Sequence, residues 1–418
     1  DNAFRSLGVQ REISLIAGNV ITLSAAVGRS FSTAANTLVT TTNVQANGLL
    51  MIADAVVDNN GILGGVLDGA VLQQGIIGAA DPGSPTELNR FAISTAVTTL
   101  AARSADGIYV SEYDGVTVDT VTVNVQQVNF NSMTTPIADT LSDLETTDNG
   151  PIKLVSLTGF IQINEGNVGV GVSANGTGDI LLRAYQDIVI NADVQSGGGH
   201  ITLRAGDDID LNLNADIRVT AAPGTIYLYA GNNTVDVLSG IDMAAGTSTS
   251  SSGNIRLVAD NEGDIRLGLV NAGNGTADVS ILAEGSILDN NGGGVLNVQS
   301  DTLRMWADAV VNPDGTQDTL TAGNNVGFIG GSDTGNPIAD ENRFAIDTRV
   351  VTLAAHAADG IYVQEADSVT VEQTGDITVR EVNFNSSTPT NRIDLSLADL
   401  VTTDNGPIKL VSLAGTIT

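Results

Sequence analysis

Asp207, Asp208 and Asp210 crowd three carboxylates into one short stretch, and Lys153 and Lys409 are the basic residues most readily set against them. Side by side on one face, acids and a base of this kind would make a carbohydrate-cleaving centre. One carboxyl would protonate the glycosidic oxygen while a second group activates water or abstracts a proton. The simpler reading is a solvated, negatively charged sheet face with lysines at its edges, and the two histidines favour it. His356 stands where an earlier copy of the same segment has Arg103, and His200 stands where sister segments carry Asp179, Thr225 or Asn254. A general base cannot be exchanged for Arg or Thr and keep its task. Both histidines are therefore expected on the surface, and no catalytic residue is assigned.

The acids have a second chemistry, because Asp, Asn and main-chain carbonyls at turns are ligands for Ca2+. The candidates are Asp106, Asp148, Asp359 and Asp404, each one or two residues before a glycine, together with Asp207, Asp208 and Asp210. The Asp-x-Asp-x-Asp-Gly loop and the glycine-rich nonapeptide of calcium-binding β-rolls are both absent. These aspartates read first as tight turns, and calcium is kept as a ligand without a defined site. Gly197-Gly198-Gly199 opens a strand and lacks the Gly-Lys-Ser/Thr of a phosphate loop. No other cofactor is expected, and a chain with no Cys can hold neither a thiolate nucleophile nor a cysteine zinc site.

The elements that carry these residues repeat on two scales. Asn89-Arg90-Phe91-Ala92-Ile93 returns as Asn342-Arg343-Phe344-Ala345-Ile346 (342 − 89 = 253), and Val128-Asn129-Phe130-Asn131 returns as Val382-Asn383-Phe384-Asn385 (382 − 128 = 254). The block from Thr146 to Leu157 returns at Thr402 to Leu413, and Ala53-Asp54-Ala55-Val56-Val57 returns from Ala307 to Val311. Residues 1–88 are thus the end of one long copy, 89–341 a complete copy and 342–418 the start of the next. The sequence reads as a window on a tandem array.

Within the long copy runs a short motif of Gly, a polar residue, then apolar alternation. It appears as Gly178-Asp179-Ile180-Leu181-Leu182, Gly199-His200-Ile201-Thr202-Leu203, Gly224-Thr225-Ile226-Tyr227-Leu228 and Gly253-Asn254-Ile255-Arg256-Leu257, with an early form at 18–25 and a short one at 263–267. Each is a strand with one face in and one out. Two or three such strands per roughly 20 to 30 residues make one coil of a parallel β-helix. The fold expected is all-β, a right-handed parallel β-helix or β-solenoid whose coils are clearest at 178–267. A string of Ig-like β-sandwich domains is the alternative. Residues 124–139 fit no regular coil and are left as a protruding loop, a cap or a side domain, and Leu141 to Glu145 looks briefly helical.

Composition agrees with thin aliphatic layers: 42% of residues are hydrophobic but only 4% aromatic, whereas large globular cores lean on rings. With 17 Lys and Arg against 48 Asp and Glu the formal charge is −31, which repels nucleic acid and anionic lipid alike. No apolar run approaches the ~18 residues of a spanning helix. An export signal, if there is one, lies outside this sequence.

Ionic residues kept between copies say more than any catalytic motif. Arg90 and Arg343, Asp106 and Asp359, Glu112 and Glu365, Asp143 and Asp399, and Lys153 and Lys409 persist while neighbouring positions change. Charges that fix the register of a structural unit behave so, and a ligand site shared by every copy is the other reading.

The Gly-Asn/Asp-Ile-x-Leu-x-Ala coils at 178–267, with the long near-identical blocks, resemble the filamentous-haemagglutinin-type and giant surface-adhesin repeats of Gram-negative bacteria. The resemblance implies an extracellular β-helical filament at a bacterial cell surface, used in adhesion, aggregation or a coat, with no catalysis. It carries over no functional residue. The partners expected are copies of the chain itself, end to end or within a longer chain, and a host or neighbouring cell surface or polysaccharide. A carbohydrate-active lyase or hydrolase and a calcium-dependent structural array are the alternatives.

Overall fold

In the computed structural model, the strand period read from the sequence becomes a stack of coils. The structure describes residues 42–53, 55, 75–84, 89–166, 169–221, 223–231, 239–273, 275–312, 326–335, 342–385 and 388–418, with short stretches upstream at 4–5, 12–17, 20–22, 29–32 and 37–40. Most of the early motif at 18–25, and Asp54, Val56 and Val57 of the recurring block, lie outside the described residues. No helix occurs among those described. Thirty-three strands join in one parallel sheet wound into a β-helix. Ig-like sandwiches, which are antiparallel, are thereby excluded.

Each coil contributes a strand to each of three faces. The first face stacks Gly107–Glu112, Ile152–Ser156, Ile180–Arg183, Ile201–Arg204, Ile226–Ala230, Ile255–Ala259 and Val279–Ala283 in unbroken register. The second runs from Val116–Val118 through Ile161–Ile163, Ile188–Ile190, Ile209–Leu211 and Ile241–Met243. The third runs from Leu144–Thr146 through Val170–Ala174, Asp193–Ser196 and Asp216–Val219. The glycine-led motifs at 178, 199, 224 and 253 occupy the first face, and their Ile180, Ile201, Ile226 and Ile255 are fully buried one above another. The short motif at 263–267 differs from them: Ile265–Leu267 pairs with Ile241 and Ile287 and so lies on the second face.

Glycine opens the first-face strands for a steric reason. A Cβ at Gly178, Gly199, Gly224 or Gly253 would lie 2.2–2.3 Å from the carbonyl oxygen of the corresponding glycine one coil earlier. The corner is a stack of main chain in contact, which only hydrogen side chains permit.

Residues 124–139 form no loop or cap. Val121–Val128 pairs antiparallel with Thr134–Leu141 as a hairpin that leaves the coil and returns to it. The stretch that looked helical, Leu141 to Glu145, is the end of this hairpin followed by the strand Leu144–Thr146, because Asp143 at φ 69° turns the chain back onto the third face. A second hairpin, Ile377–Glu381 with Thr390–Asp394, occupies the same place in the next copy.

The three faces also exchange roles along the chain. Gly107–Glu112 begins on the first face, but its counterpart Gly360–Glu365 stacks on Phe328–Ile329 and, through it, on Ile287 of the second. The long repeat therefore holds a non-integral number of coils, and equivalent strands advance by one face per copy.

Candidate functional site

Charged groups concentrate in three places: the coil corners, the buried glutamates, and the second hairpin with the first face beneath it. At the corners the acids act on the backbone. Asp179 Oδ1 accepts from the N–H of His200, Asp187 Oδ1 from Asp208, Asp208 Oδ1 from Gly240, Asp264 Oδ1 from Ser286, and Asp193 Oδ1 from Asp216. Each carboxylate thus reaches the equivalent residue one coil on. His200 belongs to this series, since its Nδ1 lies 3.1 Å from the Thr225 N–H and accepts from it. It is half-buried, and so is His356, whose Nε2 lies 2.9 Å from the Ala398 carbonyl. Neither is the open surface residue expected: His200 packs into a coil corner, and His356, within the strand Ile346–Ala357, lies 5.0 Å from the Trp306 ring. Burial lowers the pKa of both.

Asp207 and Asp208 meet Asp187, with ligand oxygens all within 4.8 Å of one another, and Asp208, Asp210 and Asp242 line a shallow groove on the second face. Burial, then the charges of Asp208 and Asp242, push Asp210 up to about 6. This arrangement can hold a hard cation. One oxygen each of Asp187 and Asp208 is already committed to a backbone N–H. The acids do not meet the proposed bases. Lys153 lies on the first face, buried with Nζ 2.5 Å from the Asn383 carbonyl and 5.7 Å from the Tyr109 ring, and burial lowers its pKa to about 8. Lys409 stands exposed 5.5 Å from the ring of Tyr362.

The other recurrent charges are local partners. Asp106 Oδ2 accepts from Gly75 N–H and Asp359 Oδ2 from Gly327 N–H, each reaching an earlier coil. Asp148 accepts from the side chain of Asn149, and Asp404 is exposed in the equivalent turn. Asp143 Oδ1 accepts from Gly166 N–H, and Asp399, like Asp143, turns at positive φ. Arg90 and Arg343 are exposed and hold Asp81 and Asp333 in two-point pairs. Glu112 and Glu365 are fully buried. Each accepts from a threonine hydroxyl (Thr95, Thr348) and from a backbone N–H (Val97, Val350). Burial raises them to about 8 and about 7.

The most developed constellation was not legible in the sequence. The second hairpin lies back along the outside of the first face. Arg256 grips Asp394 at two points, 2.8 and 2.7 Å, with both side chains buried, while Ser280 Oγ donates to the same carboxylate. Burial works against the charged form of Asp394, yet the Arg256 charge holds its pKa below the usual range. Arg204 Nη1 donates to Glu381 at 2.6 Å, and Arg392 also pairs with Glu381. The guanidinium groups of Arg256 and Arg204 stack 5.1 Å from the Tyr227 and Tyr229 rings. The signal that was available is Tyr227 and Tyr229, two aromatics both pointing outward from one strand, which an open face would not need.

The fold and these ladders define a parallel β-helix whose charges serve mainly to tie coil to coil. No family model matches the chain, and no curated protein or solved structure matches it.

Proposed function

We propose that this chain is a structural and adhesive segment of a long extracellular fibre at a bacterial surface, built for length and many weak contacts and without catalysis. The observation that supports the reading is the use of its polar groups: corner acids and His200 bond the backbone one coil on, and recurrent charges such as Asp106, Asp359, Glu112 and Glu365 bond backbone within the stack. Such a rod presents a repeated acidic exterior, so that weak contacts with a cell surface or polysaccharide sum to avidity. Its partners are further copies of itself and such a surface. The −31 charge sets it against nucleic acid and anionic lipid, and among the described residues no helix is long and apolar enough to cross a membrane.

The test is to coat beads with the chain at increasing density and measure retention on bacterial cells and immobilised polysaccharide, while following polymer length. Retention that climbs steeply with density over intact polymer is expected. Depolymerisation by the dissolved chain would overturn the reading in favour of a lyase or hydrolase. A calcium-dependent array is the second reading, favoured by the convergence of Asp187, Asp207 and Asp208. It requires the melting temperature to rise with calcium and to fall with a chelator.

A further inference from the structure

The two hairpins carry the same tip in opposite circumstances. In the second, Val382-Asn383-Phe384 is buried: Val382 and Phe384 are 2% and 3% exposed, packed with Ala92, Tyr109, Val155 and Leu181 of the preceding copy. The Asn383 carbonyl takes the Lys153 ammonium, and the Phe384 carbonyl takes Asn89 Nδ2. In the first hairpin, only the root is covered, where Val121 and Val123 pack on Leu50, Ile52 and Ala101. Its tip, Val128-Asn129-Phe130, stands free: Val128 is 74% exposed and the Phe130 ring is fully so.

A matching platform also stands open. Tyr362 and Lys409 repeat the pairing of Tyr109 with Lys153, with Nζ 5.5 Å from the ring, and Lys409 and Val411 are exposed where Lys153 and Val155 are buried. One chain thus shows the joined interface once and each of its halves once.

We propose that every hairpin is a staple between successive copies of the long repeat, and that the exposed Val128–Phe130 tip takes the Tyr–Lys platform of another copy. Tip and platform are fixed in kind by the joined example, an apolar Val and Phe against aliphatic and aromatic side chains with a lysine on the intervening carbonyl. The charges make the pairing selective. Gln127 stands where the second hairpin has Glu381, whereas Asp139, paired with Val123 as Asp394 is with Ile377, keeps a carboxylate at the Asp394 position. The first hairpin therefore suits a face that lacks the buried arginine at position 204, since an arginine left there without its carboxylate is disfavoured. This goes beyond the fibre reading, because it holds for any array of these copies, adhesive or not.

The chain has no cysteine, so one introduced thiol reports on one site. In the chain as it stands, Phe130→Cys is expected to react with a maleimide quickly and Phe384→Cys slowly. The copy is then duplicated, residues 1–341 followed by 89–418, which places a second first hairpin over the Tyr109–Lys153 platform. In that chain, Phe130→Cys in the inserted copy is expected to react at least about tenfold more slowly than in the parent. A second version adds Gln127→Glu to meet Arg204, and slow reaction of Phe384→Cys shows that the array is folded. Protection in either version supports the staple. Reaction at the parent rate in both overturns it.

Discussion

Glu112 and Glu365 are carboxyls held where charge is unwelcome. Both are buried with folded pKa values of about 8 and about 7 against an ordinary 4.5. An acid whose pKa is raised on folding binds more protons folded than unfolded, so its contribution is complete below about 4.5 and is lost as pH climbs through the folded value. The Glu112→Gln, Glu365→Gln variant is therefore expected to lose less melting temperature than the parent between pH 5 and pH 9. Parallel melting curves across that range would contradict this. Asp394 has the opposite sign: its pKa is depressed, so its contribution is lost only as pH falls below the carboxylate range. Asp394→Ala leaves Arg256 buried without its partner and should weaken hairpin closure by about 3–5 kcal/mol, read as faster amide exchange across 377–394. Replacing both partners, Arg256→Met with Asp394→Leu, should recover most of that protection. At this scale the sequence displayed which charges recur, through pairs such as Lys153 and Lys409, but not what they touch. The Asn383 carbonyl is 230 residues from Lys153, and no local pattern announces it.

The strands were legible because burial on one side imposes a period of two, as Ile201 and Leu203 facing inward show. The hairpins were not, because residues such as Val379 and Val382 pack on the outer side of strands that local alternation marks as solvent-facing. The motif at 263–267 misled for a related reason: glycine and alternation mark a coil corner without saying which corner. Glycine to alanine in a strand usually stabilises slightly through the unfolded chain. Gly199→Ala should do the reverse, because its Cβ would meet the Gly178 carbonyl oxygen at 2.2 Å. A lower melting temperature, with exchange quickened in strands 180–183 and 201–204, is expected. An unchanged or higher melting temperature would remove the close-packed corner from the account.

Across the whole molecule, the advance of one face per long repeat decides how an array is decorated. The first hairpin stands on strands that continue, through Ala102 to Ser104, into the third face, while the second stands on the first face. Successive hairpins therefore emerge from different sides, and three copies bring the series round. The first-face column, followed from Val20–Ile21 to Leu400–Thr402, has twelve strands, about 50 Å at ~4.8 Å per coil. Electron cryo-microscopy of the purified chain, with and without a calcium chelator, would show whether the coils form one continuous rod. A straight rod with a ~4.8 Å axial repeat that persists after chelation, held by its backbone ladders and corner acids, is expected. Beads on a string, or a rod that collapses when calcium is removed, would contradict it.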